Sequence, residues 1–147
     1  ALLHRAARHL RRWLLTAVTS PVDLERVALD AAFPGASARS LGDGSVLITL
    51  PQVALPDGWN QSVTAVYFTA PVNYPLANPD CFWADPALRL SGGALPANTN
   101  LTPLPDPGGL STEPHLWFSW HVHSWTPGRD TLLSYARVIE RRFQERR

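Results

Sequence analysis

The chain contains one cysteine, no lysine and no long apolar run, and the first and last of these shortages each exclude a class of protein. Because Cys81 has no second cysteine to pair with, an internal disulfide and a cluster of thiolate ligands are both excluded. All 13 basic residues are arginine, which an arginine-biased codon composition explains. No apolar stretch approaches the roughly 20 residues of a membrane span, and the arginine-rich beginning lacks the apolar core of a secretory signal. We therefore expect a cytoplasmic protein that does not insert into membranes.

Charge of one sign is also scarce, since the formal net charge is only +1 at pH 7. A field this weak does not predict nucleic acid as a partner. The 147 residues, 45% of them hydrophobic, suffice for one compact core. No repeat, low-complexity tract or linker divides them, so we expect a single domain over residues 1–147.

Apolar residues at helical spacing predict helices near both ends of the chain. Over residues 2–18 they recur every three or four positions with the arginines largely off the stripe, and a second helical stretch through residues 24–31 stops at Phe33-Pro34-Gly35. We thus expect an N-terminal helical region over residues 1–32. Another helix follows Thr126-Pro127-Gly128, and its expected buried face consists of Leu132, Leu133, Tyr135, Ala136, Ile139 and Phe143.

The middle of the chain has the composition of β-structure. Residues 46–50 and 63–69 are rich in β-branched and aromatic types, each stretch follows a turn that contains Asp-Gly, and residues 80–84 predict a short buried strand. Residues 91–114 are rich in proline and glycine and predict a long, irregular, exposed loop. The fold class expected is α+β, an antiparallel meander with N-terminal and C-terminal helices packed on one side.

Several motifs resemble a known family. Residues 71–79 include Tyr74-Pro75 and resemble the Tyr-Pro loop of the ubiquitin-conjugating (E2) fold, and Trp125-Thr126-Pro127 resembles the Trp-Ser-Pro that follows the E2 active-site stretch. Residues 79–90 read Pro-Asp-x-Phe-aromatic-x-Asp-Pro-x-Leu-x-Leu, which is similar to the prokaryotic E2-like family E. Phe118-Ser-Trp-His121 and Trp-x-Pro-Gly-x-Asp at 125–130 complete that likeness, which covers about residues 35–143.

The resemblance implies an E2/UBC-like fold and a place in a bacterial ubiquitin-like conjugation pathway, with phage defence as its setting. The implied partners are an E1-like adenylating enzyme, a ubiquitin-like protein and a JAB-type metallopeptidase of the same pathway. No cofactor is expected. Either the protein accepts the C-terminus of the ubiquitin-like protein from the E1-like enzyme, or it is a catalytically inactive E2-fold module that only binds its partners.

The chain lacks a cysteine where an E2 carries its nucleophile. Cys81 precedes the active-site stretch, and its place in a short apolar strand predicts a core residue. Counting forward from Tyr74-Pro75 by the E2 spacing reaches Thr99, whereas counting backward from Trp125 reaches Trp117, two residues from Ser119. Because loops absorb insertions more readily than a block joined to a helix, we favour Ser119, which would carry the acyl group as an oxyester.

A serine hydroxyl needs a base, and His121 or His123 could supply it. If this block is extended, however, residues 119, 121 and 123 share one face, so a polar stripe on a half-exposed strand explains the pattern equally well. His121 and His123 could instead bind a metal with Asp85 or His115 as a further ligand, which would make a small metal-binding enzyme. Asn98 and Asn100 are weak candidates for support of an oxyanion.

Overall fold

The computed structural model describes residues 20–105 and 113–147, so the helix predicted over residues 2–18 lies outside the described part of the chain. Within these two ranges there are two helices and six strands. No helix in them is long and apolar enough to cross a membrane. In chain order the elements are α1 (Pro21–Ala32), β1 (Ser37–Ser40), β2 (Val46–Ala54), β3 (Val63–Ala70), β4 (Phe82–Ala84), β5 (Thr99–Pro103), β6 (Pro114–Phe118) and α2 (Leu132–Phe143).

The strands form one sheet in the order β1-β2-β3-β4-β6-β5, and every neighbouring pair is antiparallel. The predicted meander is therefore confirmed over β2, β3 and β4. The pairing of β4 with β6 places Phe82 opposite Phe118. Because the two strands are antiparallel, the residues just before β4 and just after β6 lie at the same end of the sheet. That end carries the candidate site.

One face of the sheet is buried beneath the helices, as the α+β prediction required. Along β3 buried residues alternate with partly exposed ones, the period expected of a half-buried strand. Phe82 and Phe118 stack with ring centroids 4.5 Å apart, and Phe143 of α2 meets both rings edge-on. The buried residues of α2 are Leu132, Tyr135, Ala136, Ile139, Arg142 and Phe143. This face agrees with the predicted one except that Leu133 is only partly buried and Arg142 is included.

Three expectations need correction. The helix predicted through residues 24–31 forms, but α1 buries Val22 and Leu29, while Leu24 is 70% and Val27 79% exposed. The segment expected to be an irregular loop contains β5, an edge strand whose backbone pairs with β6 in spite of its polar and proline residues. The strand β6 ends at Phe118, so Ser119, His121 and His123 lie beyond it and do not form a stripe on a strand.

Candidate functional site

Two motifs lie on either side of the candidate site in the sequence, Tyr74-Pro75 and Trp125-Thr126-Pro127, and they contact each other. The indole Nε1 of Trp125 donates a hydrogen bond to the carbonyl oxygen of Pro75 at 2.8 Å, and the rings of Tyr74 and Trp125 lie 6.0 Å apart. On its other side, the Tyr74 hydroxyl donates to the Glu25 carboxylate of α1 at 2.7 Å. The Tyr-Pro loop is therefore held between α1 and the segment that leads into α2.

Asp80 and His121 form the polar centre of the site. Asp80 precedes β4 and His121 follows β6, so the antiparallel pairing of these strands brings the two side chains together. Asp80 Oδ1 and His121 Nδ1 are 2.5 Å apart. If Nδ1 carries the proton, the carboxylate fixes the ring and leaves Nε2 unprotonated, which is the arrangement of an oriented general base. Both side chains remain more than half exposed, at 57% and 62% respectively.

Cys81 is buried, as predicted, but it has neighbours that the sequence did not indicate. Its sulfur lies within 4.8 Å of ligand atoms of both Asp80 and His121. Burial raises the pKa of the Cys81 thiol, and the charge of Asp80 raises it further, so the thiolate needed for nucleophilic attack is disfavoured. This electrostatic environment does not favour Cys81 as the acyl acceptor.

The backbone of Cys81 adopts an uncommon conformation, with φ at 59° in the left-handed region. Such a conformation costs a residue other than glycine some free energy and persists only where the surroundings enforce it. Here the Cys81 N–H donates to the Trp120 carbonyl at 3.0 Å, and the Cys81 carbonyl accepts from the Tyr135 hydroxyl at 2.6 Å. These bonds attach Cys81 to the segment after β6 and to α2.

The two nucleophile candidates reached by counting in opposite directions lie on neighbouring chain segments. Thr99 is paired with Phe118, the residue before Ser119, and the Ser119 N–H donates to the Asn98 carbonyl at 2.8 Å. The Thr99 hydroxyl already donates to the Pro96 carbonyl at 2.6 Å. In the described residues no hydrogen bond engages the Ser119 hydroxyl, including any to His121. Among the described residues, the Thr99 hydroxyl is therefore engaged in a hydrogen bond and the Ser119 hydroxyl is not. The Ser119 hydroxyl is also not hydrogen-bonded to His121, a candidate for its base.

The histidine and aspartate residues considered as a base or as metal ligands lie in different parts of the structure. His121 and His123 both line an open cleft of about 320 Å³ between the segment after β6 and α2. His115, by contrast, is buried on β6, where its Nδ1 lies 3.1 Å from the Glu113 carbonyl. Asp85 accepts a hydrogen bond from Gln61 at 3.0 Å. The cluster formed by Asp80, Cys81 and His121 does not include His115, Asp85 or His123.

The asparagine candidates differ in their local roles. Asn100 accepts from the Leu101 N–H through its own side chain at 2.9 Å, which is the local bonding typical of asparagine. Asn98 has a φ of 61° and presents its carbonyl to Ser119. Of the two, Asn98 is therefore the one whose backbone is hydrogen-bonded to Ser119 itself.

Arg142 links several chain segments at the end of the sheet that carries the candidate site. It is only 1% exposed, and its guanidinium donates to the carbonyl oxygens of Glu145, Ala97 and Arg147. The same group lies over the rings of Phe118 and Trp120, at 5.2 and 5.3 Å from their centroids. It therefore connects α2 both to the segment before β5 and to the residues on either side of Ser119.

Asp80 is the functional candidate that sequence reasoning missed. Its signal was present, because Asp80 and His121 each belong to a motif that carries the resemblance, but nothing in the sequence paired one motif with the other. Among curated proteins and among solved structures no significant match was found. A family model described as prokaryotic E2 family E matches residues 37–146, which is most of the chain and includes Asp80, Cys81, Ser119 and His121. This protein belongs to prokaryotic E2 family E.

Proposed function

We propose that the protein is the E2-like component of a bacterial ubiquitin-like conjugation pathway and carries the C-terminus of a ubiquitin-like protein as an oxyester on Ser119. Membership of the family supports the E2-like role and, with it, ubiquitin-like pathway partners in general. The observation that carries the proposal further is the contact between His121 and Asp80, because His121 lies only two residues after Ser119 in the chain. It favours His121 over His123 as the base, because within the described residues His121 has a carboxylate beside its ring and His123 has none.

The proposed reaction begins with the acyl-adenylate held by an E1-like enzyme. Ser119 Oγ forms a bond to the acyl carbon while its proton passes to His121, and the bond from that carbon to AMP breaks. AMP leaves, and His121 returns the proton to solvent. The hydroxyl must move into hydrogen-bond reach of the ring for this step, which is a common requirement of sites observed without their substrates.

A second candidate function is an E2-fold module that binds a ubiquitin-like protein or an E1-like enzyme without chemistry. Two observations favour it, namely the absence of a cysteine from residues 91–147 and the lack of a hydrogen bond from Ser119 to His121 within the described residues. The cleft beside His121 and His123 would then serve as a contact surface only.

Reconstitution distinguishes the two. The purified protein is mixed with an E1-like adenylating enzyme and a mature ubiquitin-like protein of the proposed pathway and with ATP, and adducts are resolved by denaturing electrophoresis. An oxyester is expected to survive a thiol reductant and to be cleaved by hydroxylamine or mild base. Ser119→Ala should abolish the adduct while Thr99→Ala, the matched control, leaves it. Loss in Thr99→Ala alone would transfer the role to Thr99, and tight binding of the partners without any adduct would favour the inactive module.

A further inference from the structure

Asp80, Cys81 and His121 provide three different donor atoms at one point on the surface. A carboxylate oxygen, a thiol sulfur and an imidazole nitrogen, one from each residue, all lie within 4.8 Å of one another. These are the three kinds of side-chain ligand that Zn²⁺ uses in proteins. We propose that Asp80, Cys81 and His121 bind a divalent transition metal of the Zn²⁺ type, with a fourth position open to solvent.

The donor atoms can reach the spacing that such an ion requires by a small movement of two side chains. Bonds of roughly 2.0 to 2.3 Å in a tetrahedral arrangement place the ligand atoms about 3.3 to 3.8 Å apart. The pair formed by Asp80 Oδ1 and His121 Nδ1, at 2.5 Å, is closer than this, so these two side chains would move apart to admit the ion. Both are more than half exposed and therefore have room to do so.

The fold holds the third ligand in place. Hydrogen bonds to Trp120 and Tyr135 fix the Cys81 backbone, and the left-handed φ of Cys81 is part of that arrangement. A buried sulfur on a hydrogen-bonded backbone gives the ion an anchor, and its two exposed partners leave a path of entry. The paired ends of β4 and β6 bring all three ligands together.

The chemistry of the donors narrows the class of metal. A sulfur ligand disfavours Mg²⁺ and Ca²⁺, which take oxygen ligands, and favours Zn²⁺, Co²⁺ and related ions. On binding, the thiol proton leaves to solvent and the sulfur binds as thiolate. Because a metal on His121 occupies the imidazole proposed as the base, Zn²⁺ at this site would suppress adduct formation rather than assist it.

Cobalt titration of the metal-free chain of 147 residues tests the site directly. Since Cys81 is the one cysteine in the chain, a thiolate-to-Co²⁺ charge-transfer band in the near ultraviolet can arise from no other residue. We expect this band at one Co²⁺ per chain, together with its displacement by Zn²⁺. A titration that reaches millimolar Co²⁺ without the band would overturn the proposal.

Variants then identify the ligands by calorimetric Zn²⁺ titration. His121→Ala and Asp80→Asn should each weaken binding at least about tenfold, since even groups that merely support a metal ligand can matter that much. His123→Ala is the matched control, because this exposed histidine lies outside the cluster. Weakening by His123→Ala with no effect of His121→Ala would refute the assignment. These titrations need no pathway partner, so their outcome is independent of whether an oxyester forms on Ser119.

Discussion

The hydroxyl of Tyr135 donates a hydrogen bond to the carbonyl oxygen of Cys81 at 2.6 Å, across 54 positions of sequence. Tyr135 is 1% exposed and projects from the first turn of α2. The bond therefore joins the C-terminal helix to the residue that sits between Asp80 and β4. It makes the geometry of the site depend on the docking of that helix.

Removing this hydroxyl should destabilise the protein. Tyr135→Phe leaves the Cys81 carbonyl without its tyrosine donor, and we expect the free energy of unfolding to fall by about 1 to 3 kcal/mol. Urea denaturation followed by fluorescence measures the change. Tyr67→Phe is the matched control, because the Tyr67 hydroxyl makes no hydrogen bond to any described residue. Equal losses in the two variants would show that the bond to Cys81 contributes nothing specific.

Alkaline pH should weaken the fold through the buried tyrosines. Burial raises the pKa of Tyr135 above its ordinary value of 10.0, and burial together with the Glu25 carboxylate does the same for Tyr74. The unfolded chain therefore loses these protons near pH 10 while the folded chain keeps them. Stability is fully present below that pH and falls above it, by up to about 1.4 kcal/mol per pH unit for Tyr135.

Unfolding measured between pH 8 and 12 tests this dependence. In Tyr135→Phe the decline above pH 10 should be shallower than in the wild type, because one of the titrating groups is gone. An identical slope in the two proteins would mean that Tyr135 ionises as readily in the folded chain as in the unfolded one.

Cys81 should be dispensable for adduct formation. Cys81→Ser places a hydroxyl in a buried position and should cost about 1 kcal/mol of stability, yet leave any adduct intact. The comparison is made in the reconstituted pathway after circular dichroism has verified that the variant is folded. Complete loss of the adduct in a folded Cys81→Ser protein would make Cys81 the acyl acceptor in place of Ser119.

The two histidines of the cleft should differ in their effect on adduct formation. His121→Gln removes the ring that Asp80 orients, and we expect the rate to fall roughly 10²- to 10⁴-fold, as is typical when general-base assistance is lost. His123→Gln should change the rate little. Quenched time courses measure both variants in a buffer that contains Mg²⁺ for ATP but no Zn²⁺ or other transition metal, and the reverse ranking would assign the base to His123.

The amino-acid sequence by itself determined the strands and the helix whose signals come from residues that are neighbours in the chain. The β-branched and aromatic composition of residues 46–50 and 63–69, each after a turn that contains Asp-Gly, predicted β2 and β3, and the helical spacing of apolar residues after Gly128 predicted α2. The ordered motifs between residues 71 and 130 were sufficient to predict the family. Even the burial of Cys81 followed from its apolar neighbours.

Only the tertiary structure decided which polar residues meet. Asp80 and His121 are 41 positions apart, and they are brought together by the pairing of β4 with β6, a non-local contact that no local pattern encodes. The strand β5 was missed for a related reason: its asparagine and its proline indicate a loop, but hydrogen bonding to β6 overrides that preference. The same pairing places Thr99 beside the segment of Ser119, so two candidates separated in sequence became neighbours in the fold.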